Sequence, residues 1–154
     1  MHLTVCGGGD RGERQQMAQE SRRLGLEGSV DFTGYLSSED VRQRMQQAAV
    51  LVMPSVAPEI AGLTLLEAMD AGCIVVGADC GGIPELIGEA GLLFRWNDAQ
   101  DLARQLMRLA DDPDLWGTLR RRGWERVRSR YTAQRMADAY YQLYGALCQH
   151  GAAS

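Results

Sequence analysis

Pro54-Ser55-Val56-Ala57-Pro58-Glu59-Ile60-Ala61-Gly62-Leu63-Thr64-Leu65-Leu66-Glu67-Ala68-Met69-Asp70-Ala71-Gly72 is the most informative stretch of this 154-residue chain. Val50–Met53, just before it, is a short β-branched run that reads as a strand stopped by Pro54. Residues 62–71 then read as a short helix closed by Gly72, and residues 73–77 as the next strand. A loop leading from a strand's carboxyl end into a helix is where open α/β sheets bind ligands. The spacing therefore predicts a helix amino terminus near Gly62 that offers free N–H groups and a positive dipole end to an anion. Gly62 has no side chain to obstruct a phosphate approaching that end.

Two acids bracket this helix start, with seven residues between them. Glu67 falls in the second turn among Leu65, Leu66, Ala68 and Met69, so the helix reads as buried nearly all round. A carboxylate inside it needs hydrogen-bond donors, and a pair of sugar hydroxyls would satisfy it. Glu59 lies in the preceding loop on the ligand side, where it can accept from further hydroxyls. Each acid alone has an ordinary reading: Glu59 as an exposed loop acid, Glu67 as the partner of an arginine.

The same alternation of strand and helix continues in both directions. Residues 3–6 and 29–33 read as strands, and residues 91–94 as a fifth. Polar helices follow Gly7-Gly8-Gly9-Asp10 and Ser37-Ser38-Glu39-Asp40, and helices over about 99–110, 113–128 and 133–149 close the chain. Short apolar strands separated by helices predict an α/β fold, a Rossmann-like parallel sheet flanked by helices, with extra helices at the carboxyl end. Residues 1–154 read as one domain, its last helix packing across it. Met136, Tyr140, Leu143, Tyr144 and Leu147 form one apolar face of that helix.

Composition removes several classes of function. All 16 basic residues are arginine, which excludes lysine Schiff bases and P-loop chemistry. The two histidines, His2 and His150, stand at opposite ends, and Cys6, Cys73, Cys80 and Cys148 are scattered. That spacing supports no metal site and no disulfide framework, so reduced thiols and a cytoplasmic setting are expected. No cofactor is implied. A net charge of −4 gives no broad footprint for nucleic acid. No apolar run approaches a spanning helix, and the first residues carry no secretory signal. Residues 120–130 hold six arginines, ordinarily a solvated helix face; peripheral membrane contact through anionic lipid, or contact with polysaccharide, is the alternative use.

Five segments in register, from about residue 3 to residue 145, carry a resemblance. P-S-x-x-x-E-x-x-G-L-x-x-L-E-A-M-x-x-G at residues 54–72 resembles the signature of glycosyltransferase family 4, the group 1 glycosyl transferases. Leu3–Gly9 resembles that family's strand and glycine loop, and Val30–Leu36 its V-x-F-x-G strand. Val75–Glu85 resembles its V-V-A-x-D-x-G-G-x-P-E segment, and Gly91–Phe94 the G-x-L strand that follows. The resemblance implies the donor-binding domain of a GT-B fold and metal-independent glycosyl transfer with retention. Its implied donor is a UDP-, GDP- or ADP-linked sugar.

Carried across position by position, the resemblance implies that Glu59 is the catalytic residue and contacts the donor sugar, and that Glu67 accepts from the nucleotide ribose hydroxyls. Backbone N–H groups of Gly62, Leu63 and Thr64 meet the diphosphate and sugar. Tyr35 and Leu36 line the base pocket, while Gly7, Gly9, Gly81 and Gly82 shape it, the last two as structural rather than ligating positions. Ala61 departs from the family's usual aromatic, Asp70 from a small residue and Ile74 from proline. The resemblance also implies a central first strand and a G-R-x-x-x-x-K-G segment, neither of which precedes Leu3, and an acceptor-binding domain. The chain is therefore expected to need a missing amino-terminal domain or partner chain and to be inactive alone. Without the central strand, its neighbours are expected to close up, pair with another chain or remain frustrated.

Two rivals remain. Gly7-Gly8-Gly9-Asp10-Arg11-Gly12 satisfies G-x-G-x-x-G, with Asp31 about where a ribose-binding acid would fall, as in an NAD(P)-type domain. A non-catalytic binding module of the same fold is the other.

Overall fold

A computed structural model describes residues 2–151. In chain order the elements are β1 (Leu3–Cys6), α1 (Arg11–Arg23), β2 (Val30–Gly34), α2 (Ser38–Gln47), β3 (Val50–Met53) and α3 (Leu63–Asp70). They continue with β4 (Ile74–Asp79), α4 (Ile83–Ile87), β5 (Gly91–Arg95), α5 (Ala99–Asp111), α6 (Pro113–Arg130) and α7 (Ala133–Gly151). Every expected strand and helix is present, and α4 is additional. Its markers were visible: Pro84 stands in the first turn with Glu85, and Gly88 closes the helix at φ +52°.

All strand pairs are parallel, but the pairing falls into two sheets, β1-β2 and β3-β4-β5. β1-β2 and β3-β4-β5 are each paired only within their own sheet among the described residues. The chain divides into two compact units, one ending at Arg44 and one beginning at Met45.

The second unit holds the core. β4 is buried from Ile74 to Ala78 because β3 and β5 flank it in register and helices cover it. Leu65 and Met69 from α3, Ile83 and Ile87 from α4, Leu109 from α5 and Leu119 from α6 complete that core. Each such side chain contributes about 1.5–3 kcal/mol on burial. Gly77 on β4 lets α4 approach: a Cβ there would fall 2.6 Å from Ile83 and 2.7 Å from Ile87. Gly123 does the same for α6, where a Cβ would lie 3.2 Å from Met69.

In the first unit β1 pairs with β2 in register from Leu3↔Val30, slipping between Val5 and Cys6. Gly34 is its one buried residue among those described, and Leu3, Met17, Leu24 and Leu26 are exposed. α1 is too polar to bury a face: Met17 and Ala18 are its apolar residues.

The arginine-rich α6 is built into the second unit rather than left wholly to solvent. Arg126 donates from Nε to the Leu86 carbonyl at 2.7 Å and from Nη2 to the Glu85 carbonyl at 2.6 Å, satisfying the carboxyl end of α4. Arg128 pairs with Asp70 at 3.4 Å and lies over the Trp124 ring. The last helix differs from expectation too. Each residue of α7 from 133 to 148 is exposed, so it does not pack across the domain.

Candidate functional site

The 54–72 stretch folds as a loop running into α3, and its sequence explains why the helix begins where it does. Gly62 occupies the N-cap in the left-handed conformation, φ +45° and ψ +36°, which favours glycine. A Cβ at Gly62 would lie 2.8 Å from Leu86 Cδ1 on α4. The glycine is thus favoured by its left-handed backbone, and a side chain there would also press on Leu86. No side chain caps α3. Aspartates cap α1, α5 and α6: Asp10 accepts from Gly12 N–H, Asp98 from Asp101 N–H and Asp112 from Leu115 N–H. The first turn of α3 therefore has no side-chain acceptor at its cap position.

Glu59 sits beside that turn. Its Oε1 accepts the Gly62 N–H at 3.3 Å, which ties the loop acid to the helix start and leaves Oε2 directed elsewhere. The loop is held from the opposite side by the residues after β4. Gly82 N–H donates to the Glu59 carbonyl at 2.7 Å. A Cβ on Gly81, at φ +56°, would fall 2.5 Å from that carbonyl oxygen, and one on Gly82 would fall 2.8 Å from the Ile60 oxygen. Both glycines therefore serve close backbone packing under the acid. The Cys80 thiol lies 3.8 Å from the carbonyls of Ser55 and Ala57 and braces the same loop.

Glu67 requires a correction. It is exposed, as are Leu63, Thr64 and Asp70, whereas Leu65, Ala68 and Met69 are buried. The apolar residues crowd one side of an eight-residue helix, and positions 63, 64, 67 and 70 recur on the other. No polar or charged side chain is buried among the described residues, so the carboxylate has no desolvation to offset. Position 67 lies one helical turn after Leu63 and Thr64 on the same exposed side of α3. Glu59, Gly62, Gly81 and Gly82 are thus in mutual contact at the start of α3, with Leu63 and Thr64 in its first turn and Glu67 one turn further on its exposed side.

The remaining expected site residues lie in the first unit. Gly7, Gly8 and Gly9 line a cleft of about 270 Å³ with Arg14, Met17 and Phe32. Gly7 N–H donates to the Gly34 carbonyl at 3.0 Å, and a Cβ on Gly8 would meet Tyr35 Cβ at 3.8 Å. Tyr35 is 85% exposed, an unusual state for a large aromatic, and Leu36 beside it is half-buried.

The dinucleotide alternative meets two obstacles here. Asp10 already places a carboxylate on the amino end of α1, where a pyrophosphate would have to sit. Asp31 is hydrogen-bonded to His2 Nε2 at 3.0 Å.

Leu86, Cys80 and Arg126 were not singled out from sequence. They act through neighbours distant in the chain, and the Pro84–Gly88 markers of α4 were the available signal.

The family model of glycosyl transferases group 1 matches residues 1–112, most of the chain. This chain belongs to the group 1 glycosyl transferases. It is 31% identical over 136 residues to a D-inositol 3-phosphate glycosyltransferase of Streptomyces bingchenggensis, covering 82% of this chain and 29% of that relative. Over 86 residues it is 41% identical to the sulfoquinovosyl transferase SQD2 of Arabidopsis thaliana, covering 53% of this chain and 17% of the relative. Among solved structures, sucrose-phosphate synthase of Thermosynechococcus elongatus superposes with a TM-score of 0.80 at 31% identity, covering 94% of this group 1 chain and 39% of that one. HepE of Anabaena, solved in complex with UDP-glucose, gives 0.81 at 27% identity, covering 92% and 41%. The fold is accordingly the Rossmann-like one of GT-B transferases, and the chain spans well under half the length of these relatives.

Proposed function

We propose that this chain binds the nucleotide diphosphate of an activated sugar and supplies the donor half of a retaining glycosyl transfer. The observation that carries the reading is the uncapped, glycine-started tip of α3 with Glu59 on one side and Glu67 on the exposed face. The N–H groups of Leu63 and Thr64 would stabilise charge on the departing diphosphate, because fixed dipoles need no reorganisation as that charge develops. Oε2 of Glu59 would accept from a sugar hydroxyl while Oε1 stays on Gly62, which positions the sugar relative to the phosphate. Glu67 would accept from the two ribose hydroxyls. Exposure suits it to this role, since it meets the ligand without first losing a protein partner. In the first unit, Tyr35 and Leu36 beside the glycine cleft would serve the base. No metal ion enters the mechanism proposed.

The related HepE binds UDP-glucose, which supports a nucleotide-sugar donor; whether this chain takes UDP, GDP or ADP is a matter for titration. The acceptor-binding half and the G-R-x-x-x-x-K-G segment that the resemblance implies do not occur in the 154 residues. The isolated chain is therefore proposed to bind donor without turning it over, a missing domain or partner chain supplying the acceptor.

Isothermal titration with UDP, GDP and ADP tests the reading. One nucleotide should bind, and Glu67→Ala should weaken it about 10- to 100-fold, as expected for losing charge-assisted hydrogen bonds of roughly 1.5–3 kcal/mol. Binding of none of the three, or binding indifferent to Glu67→Ala, would refute it, and NAD(H) binding in their place would revive the dinucleotide reading.

A further inference from the structure

We infer that Glu13 and Arg14 choose the base of the donor nucleotide, taking the carbonyl-and-N–H edge that uracil and guanine share and turning adenine away. The inference rests on the nucleotide-sugar reading and extends it to a cleft that lies within the first unit. Both side chains line that cleft together with Gly7, Gly8 and Gly9. The Glu13 carboxylate lies at the glycine loop, where a Cβ on Gly9 would fall 3.5 Å from its Oε2. The Arg14 guanidinium lies at the end of β2, where a Cβ on Gly34 would fall 2.7 Å from its Nη1. Glu13 and Arg14 form no ion pair or hydrogen bond with each other or with any other described residue. An acceptor and a donor thus face one open cleft with their capacity unused.

The place and the glycines favour a bound ligand over more polypeptide. Residues 5–9 and the end of β2 at Phe32 and Gly34 line the cleft, at the carboxyl ends of two parallel strands. Open α/β sheets bind their ligands there. A further strand would join this sheet along an open edge and leave those ends clear. Gly8 and Gly9 have no positive φ, and a Cβ on Gly8 would make only an ordinary contact, 3.8 Å from Tyr35 Cβ. Neither backbone nor packing within the chain calls for glycine at these two positions, whereas a flat group lying against the loop does.

The charges point to a neutral group. Asp10 already accepts the Gly12 N–H, and Glu13 adds a second carboxylate to the first turn of α1, so the dipole end that would draw a phosphate is filled. A base is neutral, and exposed Tyr35 at the adjoining turn offers its ring a stacking surface. Uracil and guanine each present a ring carbonyl beside a ring N–H. Arginine donates to the first, and glutamate accepts from the second. Adenine reverses the pattern: its amino group would face the guanidinium donors and its ring nitrogen the carboxylate, leaving every one of them unpaired.

Isothermal titration of the full 154-residue chain with UDP, GDP and ADP tests this through the ratio of affinities. UDP or GDP should bind at least about 10-fold more tightly than ADP, and the tighter of the two names the base. Glu13→Gln combined with Arg14→Gln should bring ADP to within about threefold of it, because an amide can turn either its oxygen or its NH2 toward the ring. Arg22→Gln, on the same helix outside the cleft, should leave the ratio unchanged. Glu67→Ala should weaken all three nucleotides alike, since the ribose is common to them. ADP binding as tightly as the other two, or a ratio that the double substitution does not move, would overturn the inference and leave the nucleotide-sugar reading standing. Failure of all three to bind would overturn both.

Discussion

A methyl group on Gly81 would lie 2.5 Å from the carbonyl oxygen and 2.7 Å from the nitrogen of Glu59, backbone atoms that cannot swing aside as a side-chain tip can. Gly81→Ala should therefore combine the left-handed backbone penalty with a displacement of the loop. We expect a loss of about 2–4 kcal/mol in unfolding free energy and weaker nucleotide binding, because the loop carries Glu59. Gly25→Ala is the control: it has φ +69° but nothing within 4 Å, so it should cost about 1–2 kcal/mol and leave binding alone. Thermal or denaturant unfolding with nucleotide titration separates the two outcomes. At this scale residue types were legible in the sequence and environments were not. Glu67 was recognisable by its spacing from Glu59, but its exposure depends on which side of α3 meets the core.

Among the elements, α4 has an influence out of proportion to its five residues. Its Leu86 stands against Gly62, its Ile83 and Ile87 pack on β4, and its last carbonyls are held by Arg126 from α6. Arg126→Met keeps an apolar stem of similar reach and removes both hydrogen bonds. It should destabilise the protein by about 1–3 kcal/mol, measured by chemical denaturation, and weaken donor binding less than Glu67→Ala does. Conversely, α3 was readable from Gly62 and Gly72 at its ends, since glycine at a left-handed position is a local requirement. The partner of Arg126 was not readable, because 40 residues separate it from Leu86 and nothing in the arginine run marks which member turns inward.

Across the whole molecule stability is unevenly distributed. The second unit contains every buried apolar side chain described, while the first has a two-stranded sheet and a polar helix around a single buried glycine. A two-stranded sheet is marginal without further cover. Hydrogen exchange should therefore release the amides of β1 and β2 at least about 10-fold faster than those of β4. Equal protection in the two sheets would show that the first unit shares the cooperative unfolding of the second.

Sequence periodicity, the turn and cap residues and the ordered family segments were sufficient to determine the parallel α/β class, the five strands and the helix tip on which the proposed site rests. These are short-range properties: backbone preferences and apolar repeats are written within a few residues of where they act. The tertiary structure alone decided that the strands pair as two sheets, that Glu67 faces outward, that Leu86 stands against Gly62, and that α7 is exposed along its described length. Each of those depends on which distant surfaces come into contact, and steric exclusion between remote segments leaves no periodic trace in the chain.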